Sequence, residues 1–360
     1  MLNYSNVLFY KLIGSVLLLT ALNIGCSIGS LVRDKDAITN SPYSLNNRIK
    51  NQVFYSNPEM KNITHIVFVE LDLEPGPEIG VFDQTSLQIL SLEGENKDRI
   101  LLNWKYGILE PGIRIKKPGE FEILARSMDP VGVMDKSGRP IWIYDKKRAR
   151  LMVSGDLNNN GIPEYYVVVA SDLIKLNEHG NEVWKISDAY FTGLDILKLA
   201  DRNQQMLLTN SANGIIHFRD YSGKIIKEIV PEKKLHGFFI CNWKSSQYIL
   251  GYHGKEIVLL DMCGRIVINH KITFLRSDIF GIKGVAVKFK DNRVYLAVII
   301  NLSSSLDRSL LCIFSPENEL IFQEELRKTT GLLALELPHH DASVILVGDG
   351  WGTVKKYWLP

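Results

Sequence analysis

The sequence predicts an all-β fold assembled from one repeated unit of roughly four short strands. Three observations carry this. From Asn51 onward, β-branched and aromatic runs alternate with turn signals, and no long segment with the 3.6-residue period of a helix intervenes. One hairpin recurs: an apolar strand, an Asp or Asn, two residues, a Gly, and a second apolar strand. It is read at Asp135 with Gly138, Asn177 with Gly180, Asp220 with Gly223, and Asp261 with Gly264. The carboxylate or amide can cap such a turn, and the Gly supplies its positive φ. The spacing is also regular: Gly94, Gly138, Gly180, Gly223 and Gly264 follow one another at 44, 42, 43 and 41 residues.

Taken in order, the chain opens on targeting information. Lys11 precedes the apolar run LIGSVLLLTALNI, which leads into Gly25-Cys26-Ser27. A basic residue, an apolar stretch and a small residue before a cysteine read as a secretory signal over residues 1–25. The cysteine position resembles a bacterial lipobox. That resemblance implies a diacylated Cys26 as the first residue of a protein exported and anchored on the extracytoplasmic side of a membrane, facing the periplasm or the cell surface. The pattern departs from it at Asn23, where an aliphatic residue is usual; Leu22 lies one place further out. An uncleaved transmembrane anchor is the alternative, since no charge falls between Lys11 and Arg33. Residues 26–50, with RDKD, TNSPYS and LNNR, read as a polar tether to the globular part.

A unit near 42 residues holding about four strands is the mark of a β-propeller blade. Counting places seven blades within residues 51–360, at Thr64–Trp104, Ile113–Ile143, Ala149–Ile186, Tyr190–Val230, Leu235–Ile272, Ile279–Leu326 and Gly331–Pro360. In the sixth, Asn318 takes the Gly place, because Asn tolerates the left-handed conformation. Its interval of 54 residues from Gly264 is assigned to the polar stretch NLSSSLDR at Asn301–Arg308. The seventh has three strands, so Asn51–Tyr55 is expected to supply the fourth and close the ring, removing the open sheet edge.

One stretch carries a ligand pattern. In VSGDLNNNGIPEYYVVV, Val153–Val169, the spacing Asp156-x-Asn158-x-Asn160-Gly161-x-x-Glu164 sets oxygens at alternate positions of a tight loop. Gly161 lets the backbone curl them inward. The loop resembles the metal-loop repeat of FG-GAP and VCBS proteins, the repeat of integrin-type propellers. That resemblance implies calcium, with side-chain oxygens from Asp156, Asn158 and Asn160, the carbonyl of Ile162, and Glu164 closing the shell. The alternative is a metal-free turn in which Asp156 caps backbone amides. A shorter version stands at Val69–Val81, with Asp72, Gly76 and Glu78, where Glu74 and Pro75 replace the amides. The form Asp135 to Trp142, D-x-x-G-x-x-x-W, also resembles the repeat of quinoprotein-type propellers. No quinone cofactor (PQQ) is expected, since those enzymes place adjacent cysteines against it, and only Trp142 and Trp184 fall at their docking place.

Function classes are then weighed. Formal charge is +2, from 42 basic and 40 acidic residues, which gives no case for a nucleic-acid binder. Cys241, Cys263 and Cys312 each adjoin apolar runs and read as small core residues. His339-His340-Asp341 is the one compact catalytic-type cluster, and it falls between two strands where a polar turn is expected. An extracytoplasmic glycan-acting hydrolase or lyase is the enzymatic alternative. The favoured expectation is a binding or scaffolding module with a protein or glycan partner in the cell envelope. Trp351, in the Gly-rich turn GDGWGTV, is its candidate anchor. In layout the chain is similar to the scaffold lipoprotein of the outer-membrane β-barrel assembly machine.

Overall fold

The computed structural model describes residues 49–360 apart from 61, 70–77, 106–110, 118, 127–129, 147–148, 188–189, 200–203, 273–277, 303–307, 328–330, 337–342 and 359–360. The signal segment, Cys26 and the tether up to residue 48 therefore lie outside the described residues. So do Asp72, Gly76 and the His339-His340-Asp341 cluster.

All regular structure among the described residues is strand, in seven four-stranded antiparallel sheets arranged as a propeller. β1 (Lys50–Ser56) stands apart at the N-terminus. Blade 1 is β2 (His65–Val69), β3 (Glu78–Phe82), β4 (Ser86–Leu90) and β5 (Asn96–Leu101). Blade 2 is β6 (Gly112–Lys117), β7 (Glu120–Arg126), β8 (Val131–Met134) and β9 (Pro140–Tyr144). Blade 3 is β10 (Ala149–Gly155), β11 (Glu164–Val169), β12 (Asp172–Leu176) and β13 (Glu182–Ile186). Blade 4 is β14 (Phe191–Leu199), β15 (Gln204–Ser211), β16 (Ile216–Arg219) and β17 (Ile225–Ile229). Blade 5 is β18 (Gly237–Trp243), β19 (Ser246–His253), β20 (Glu256–Leu260) and β21 (Ile266–Lys271). Blade 6 is β22 (Ile279–Lys288), β23 (Val294–Leu302), β24 (Arg308–Phe314) and β25 (Leu320–Arg327). Blade 7 is β26 (Gly331–Glu336), β27 (Ser343–Gly348) and β28 (Thr353–Trp358), with β1 as its outer strand.

Closure is an antiparallel ladder running from Lys50↔Trp358 to Ser56↔Thr353, with a bulge between Val53 and Tyr55. β1 also does the packing job of an outer strand. The ring of its Phe54 lies under the Gly94 turn of blade 1, where a Cβ on Gly94 would fall 3.1 Å from that ring and 2.6 Å from the Phe54 carbonyl oxygen. The same relation repeats around the molecule. Trp142 of β9 supports Gly180, and Trp184 of β13 supports Gly223. The recurring hairpin thus seats each blade on its neighbour, and the absent Cβ lets the two approach closely.

The hairpin turns form as expected. Gly138, Gly180, Gly223 and Gly264 have φ between 78° and 86°, and Asn318 takes φ 71° in the Gly place. Asp135 Oδ1 accepts from the amides of Ser137 and Arg139, at 2.8 and 3.0 Å. The long interval in blade 6 comes partly from taller strands, since β22 has ten residues and β23 nine.

Seven apolar clusters make the core of the described residues, each spanning one blade–blade interface. The β11 run EYYVVV is buried at every position, which is why it reads as a continuous apolar strand. Cys241 and Cys312 are buried as expected; Cys263 is not, because it sits in the exposed turn closed by Asp261 and Gly264.

The alternation of strands divides the ring into two faces. One, the turn face, carries the connections between first and second and between third and fourth strands. The other, the linker face, carries second-to-third connections and the blade-to-blade links.

Candidate functional site

The Asp156–Glu164 loop joins β10 to β11 on the turn face. Gly161 has φ 80° with open space around it, as its position in the loop requires. Asp156 accepts from two backbone amides, Oδ1 from Asn160 at 3.0 Å and Oδ2 from Gly161 at 2.7 Å. Asn158 Oδ1 accepts from the Asn160 amide at 3.0 Å, and Asn160 Oδ1 from the Ile162 amide at 2.8 Å. Ile162 is exposed.

Glu164 holds the base of the loop from inside the blade. It is buried, and its Oε1 lies 2.8 Å from Lys175 Nζ and accepts from Asn158 Nδ2 at 2.7 Å. Its Oε2 accepts from the Leu157 amide at 3.0 Å. Lys175 is buried too, with Nζ 3.3 Å from the Tyr221 carbonyl oxygen and over the Tyr221 ring. In blade 1 Glu78, the closing residue of the shorter loop, is also buried, but its lysine differs: Glu78 Oε1 lies 3.1 Å from Nζ of Lys97, a part-exposed residue of the outer strand β5.

These contacts set how the loop fits calcium. Asp156, Asn158 and Asn160 offer hard oxygens on the outer rim, as such an ion requires. Glu164 fits as the closing ligand only if it gives up Lys175. Sequence reasoning on the loop alone does not find Lys175, but there is a signal for it. It is the single charge inside the buried stretch Leu173-Ile174-Lys175-Leu176, opposite Tyr166.

Trp351 lies on the linker face in the β27–β28 turn, 64% exposed. Its amide donates to Asp349 Oδ1 at 2.8 Å, and Gly352 takes φ 78°. The Arg327 guanidinium stands 5.6 Å from the indole ring centre. Beside it, between blades 6 and 7, is a cleft of about 250 Å³ lined by Glu325, Leu326, Arg327, Val347, Asp349 and Lys355. The candidate metal loop and Trp351 therefore occupy opposite faces and form no common site.

A third place is invisible to sequence spacing. The first strands of the blades surround the axis, with β2 against β26 and β6, β22 against β26 and β18, and β14 against β10 and β18. On that wall Lys283 of β22 reaches past blade 7 to His65 of β2, with Nζ 2.8 Å from Nε2 and 3.1 Å from Nδ1. Burial holds the His65 imidazole well below its ordinary pKa, and Lys283 and Arg126 add to the effect. Lys283 is brought down to about 7, by desolvation and then by Arg126. On blade 4, burial raises Asp195 to about 6 even though it accepts from the Ile240 amide at 2.6 Å and the Ile196 amide at 2.8 Å.

No protein-family model matches the chain, and no curated protein matches it. Solved structures do. Virginiamycin B lyase from Staphylococcus aureus is similar at 13% identity and TM-score 0.58, covering 87% of this chain and 100% of that one. A streptogramin B lyase structure gives 12% identity and TM-score 0.56, covering 87% and 98%. BBS1N, solved in complex with ARL6DN, gives 12% identity and TM-score 0.56, covering 86% and 96%. At these identities the likeness is one of fold, and propellers host unrelated activities.

Proposed function

We propose that this chain is a binding or scaffolding module, exported and membrane-tethered, whose linker face captures a protein or glycan partner through Trp351. The observation that carries the reading is the exposed indole, held by a capped turn, stacked beside Arg327 and adjoining a charged cleft. Trp and Arg side chains set on rigid elements are the residue types that anchor interfaces, because they bury large area at little entropic cost. That BBS1N, a chain of similar fold, was solved with a protein bound is consistent with this use of a propeller. Calcium enters the reading as a brace for blade 3 rather than as a reagent. It would sit against Asp156, Asn158 and Asn160, with the Ile162 carbonyl, and recruit Glu164 from Lys175.

The test is capture from solubilised cell envelope with the wild-type protein and Trp351→Ala. The variant should keep its melting midpoint and lose roughly tenfold or more in partner recovery, as expected for a central anchor. Equal recovery by both proteins would remove Trp351 from the interface. A glycan-hydrolysing activity abolished by His340→Ala would replace the binding reading with the enzymatic one.

A further inference from the structure

We propose that His236 and His253 form a surface site for a divalent transition-metal ion, zinc or copper, on the linker face of blade 5. The site uses neither Trp351 nor the Asp156–Glu164 loop, so it stands whether or not those places bind anything.

The geometry is the first argument. His236 is the last residue of the link into β18, and His253 is the last residue of β19, so both lie at the linker-face end of the blade. The His236 amide donates to the Tyr252 carbonyl at 2.9 Å, which sets the two histidines side by side. Their ring centres are 4.9 Å apart. Two imidazoles on one ion, with metal–nitrogen bonds of about 2.0–2.1 Å, hold their centres roughly 5 Å apart at a tetrahedral angle. Each ring is also oriented. His253 Nδ1 lies 2.8 Å from the Lys234 carbonyl oxygen. A carbonyl oxygen only accepts, so Nδ1 carries the proton and Nε2 of the neutral ring keeps its lone pair. Metal-binding histidines are commonly fixed in this way. His236 packs against the Tyr252 ring, with centres 6.0 Å apart and planes at 82°, and the Tyr252 hydroxyl in turn donates to the Phe280 carbonyl at 2.9 Å.

The surroundings are the second argument. His236 is exposed and His253 half-buried, so an ion reaches them from solvent. Asp278, exposed just ahead of β22, brings a negative charge: its Oδ1 lies 3.8 Å from where a Cβ on Gly254, the residue after His253, would stand. The Ile279 amide donates to the Gly254 carbonyl at 2.8 Å and keeps the two segments together. The opposing charge is Lys234, whose stem lies against Gly214 of blade 4. Among the described residues no three His, Cys, Asp or Glu side chains are grouped around one ion, so the two imidazoles are the protein ligands and water completes the shell. Imidazole nitrogen suits zinc and copper, whereas calcium and magnesium take oxygen. The chemistry is therefore distinct from that of the Asp156 loop, whose donors are oxygens.

The experiment uses the full protein in detergent, titrated calorimetrically with zinc chloride and separately with copper(II) chloride, with calcium chloride present throughout. Wild type should bind both ions, copper the more tightly. His236→Gln and His253→Gln should each weaken that binding tenfold or more. His179→Gln, an exposed histidine of blade 3, should leave it unchanged. With one equivalent of copper, electron paramagnetic resonance should show coupling to two imidazole nitrogens in wild type and to at most one in either variant. Circular dichroism checks that each variant is folded. The two histidines stand on different segments, so one folded variant decides the matter if the other does not fold. No heat with either ion in wild type, the same affinity and stoichiometry in wild type and a folded histidine variant, or a two-nitrogen spectrum that survives either substitution would overturn the proposal.

Discussion

Asp195 shows what one side chain does between blades: from β14 it accepts the amide of Ile240 on β18, and burial makes its charge costly. Its folded pKa of about 6 lies above the ordinary aspartate value. The folded state therefore holds a proton that the unfolded chain has released between roughly pH 4 and pH 6. This group's favourable contribution is complete below pH 4 and is lost as pH rises through 6, by on the order of 2 kcal/mol. Asp195→Asn keeps an acceptor for Ile240 and removes the titration. Denaturant unfolding at pH 4, 5 and 7 should show the variant gaining on wild type as pH rises; parallel curves would refute the assignment. The calcium brace is also decided at single side chains. Melting with calcium and with chelator should separate wild-type curves and leave Asp156→Ala curves superimposed, by up to about 2.7 kcal/mol at a hundred times the dissociation constant. Lys175→Met should increase calcium sensitivity, because the ion then meets a Glu164 without its lysine. Superimposed curves for all three proteins would leave a metal-free turn.

At the scale of elements, β1 carries the sharpest prediction. Deleting residues 51–56 strips the ladder from β28 and the Phe54 support from the Gly94 turn. The melting midpoint should fall by roughly 5–10 °C in one cooperative step, several kcal/mol in a protein of this size. An unchanged midpoint would mean that the ring does not depend on its clasp. The elements themselves were legible for a physical reason. A turn that needs positive φ admits few residues, so Gly138, Gly180, Gly223 and even Asn318 mark the repeat in plain sight. The first strands and the axial group left no such mark. His65 and Lys283 are ordinary residues in their own strands, and only ring closure brings them together. Glu164 fell between these cases, since its spacing was readable and its lysine lay on another strand.

For the whole molecule, the tethered reading predicts a mature chain that begins at a diacylated Cys26. Mass spectrometry of the membrane-extracted protein measures this directly, and Cys26→Ala should leave an unlipidated precursor. An intact Met1 with unmodified Cys26 would favour a membrane-spanning anchor. Trp351 lies on the linker face, whereas Lys50 enters blade 7 from the opposite side.

The clasp has a mechanical consequence. β1 is the outermost strand of its sheet, runs from the turn face to the linker face, and is paired along its length from Lys50 to Ser56. Tension applied to the chain ahead of Lys50, with the linker face held by a partner, pulls along the strand axis. The backbone bonds of the β1–β28 ladder are then loaded together in shear instead of being peeled one at a time. The strand that closes the ring is also the strand that would bear the load.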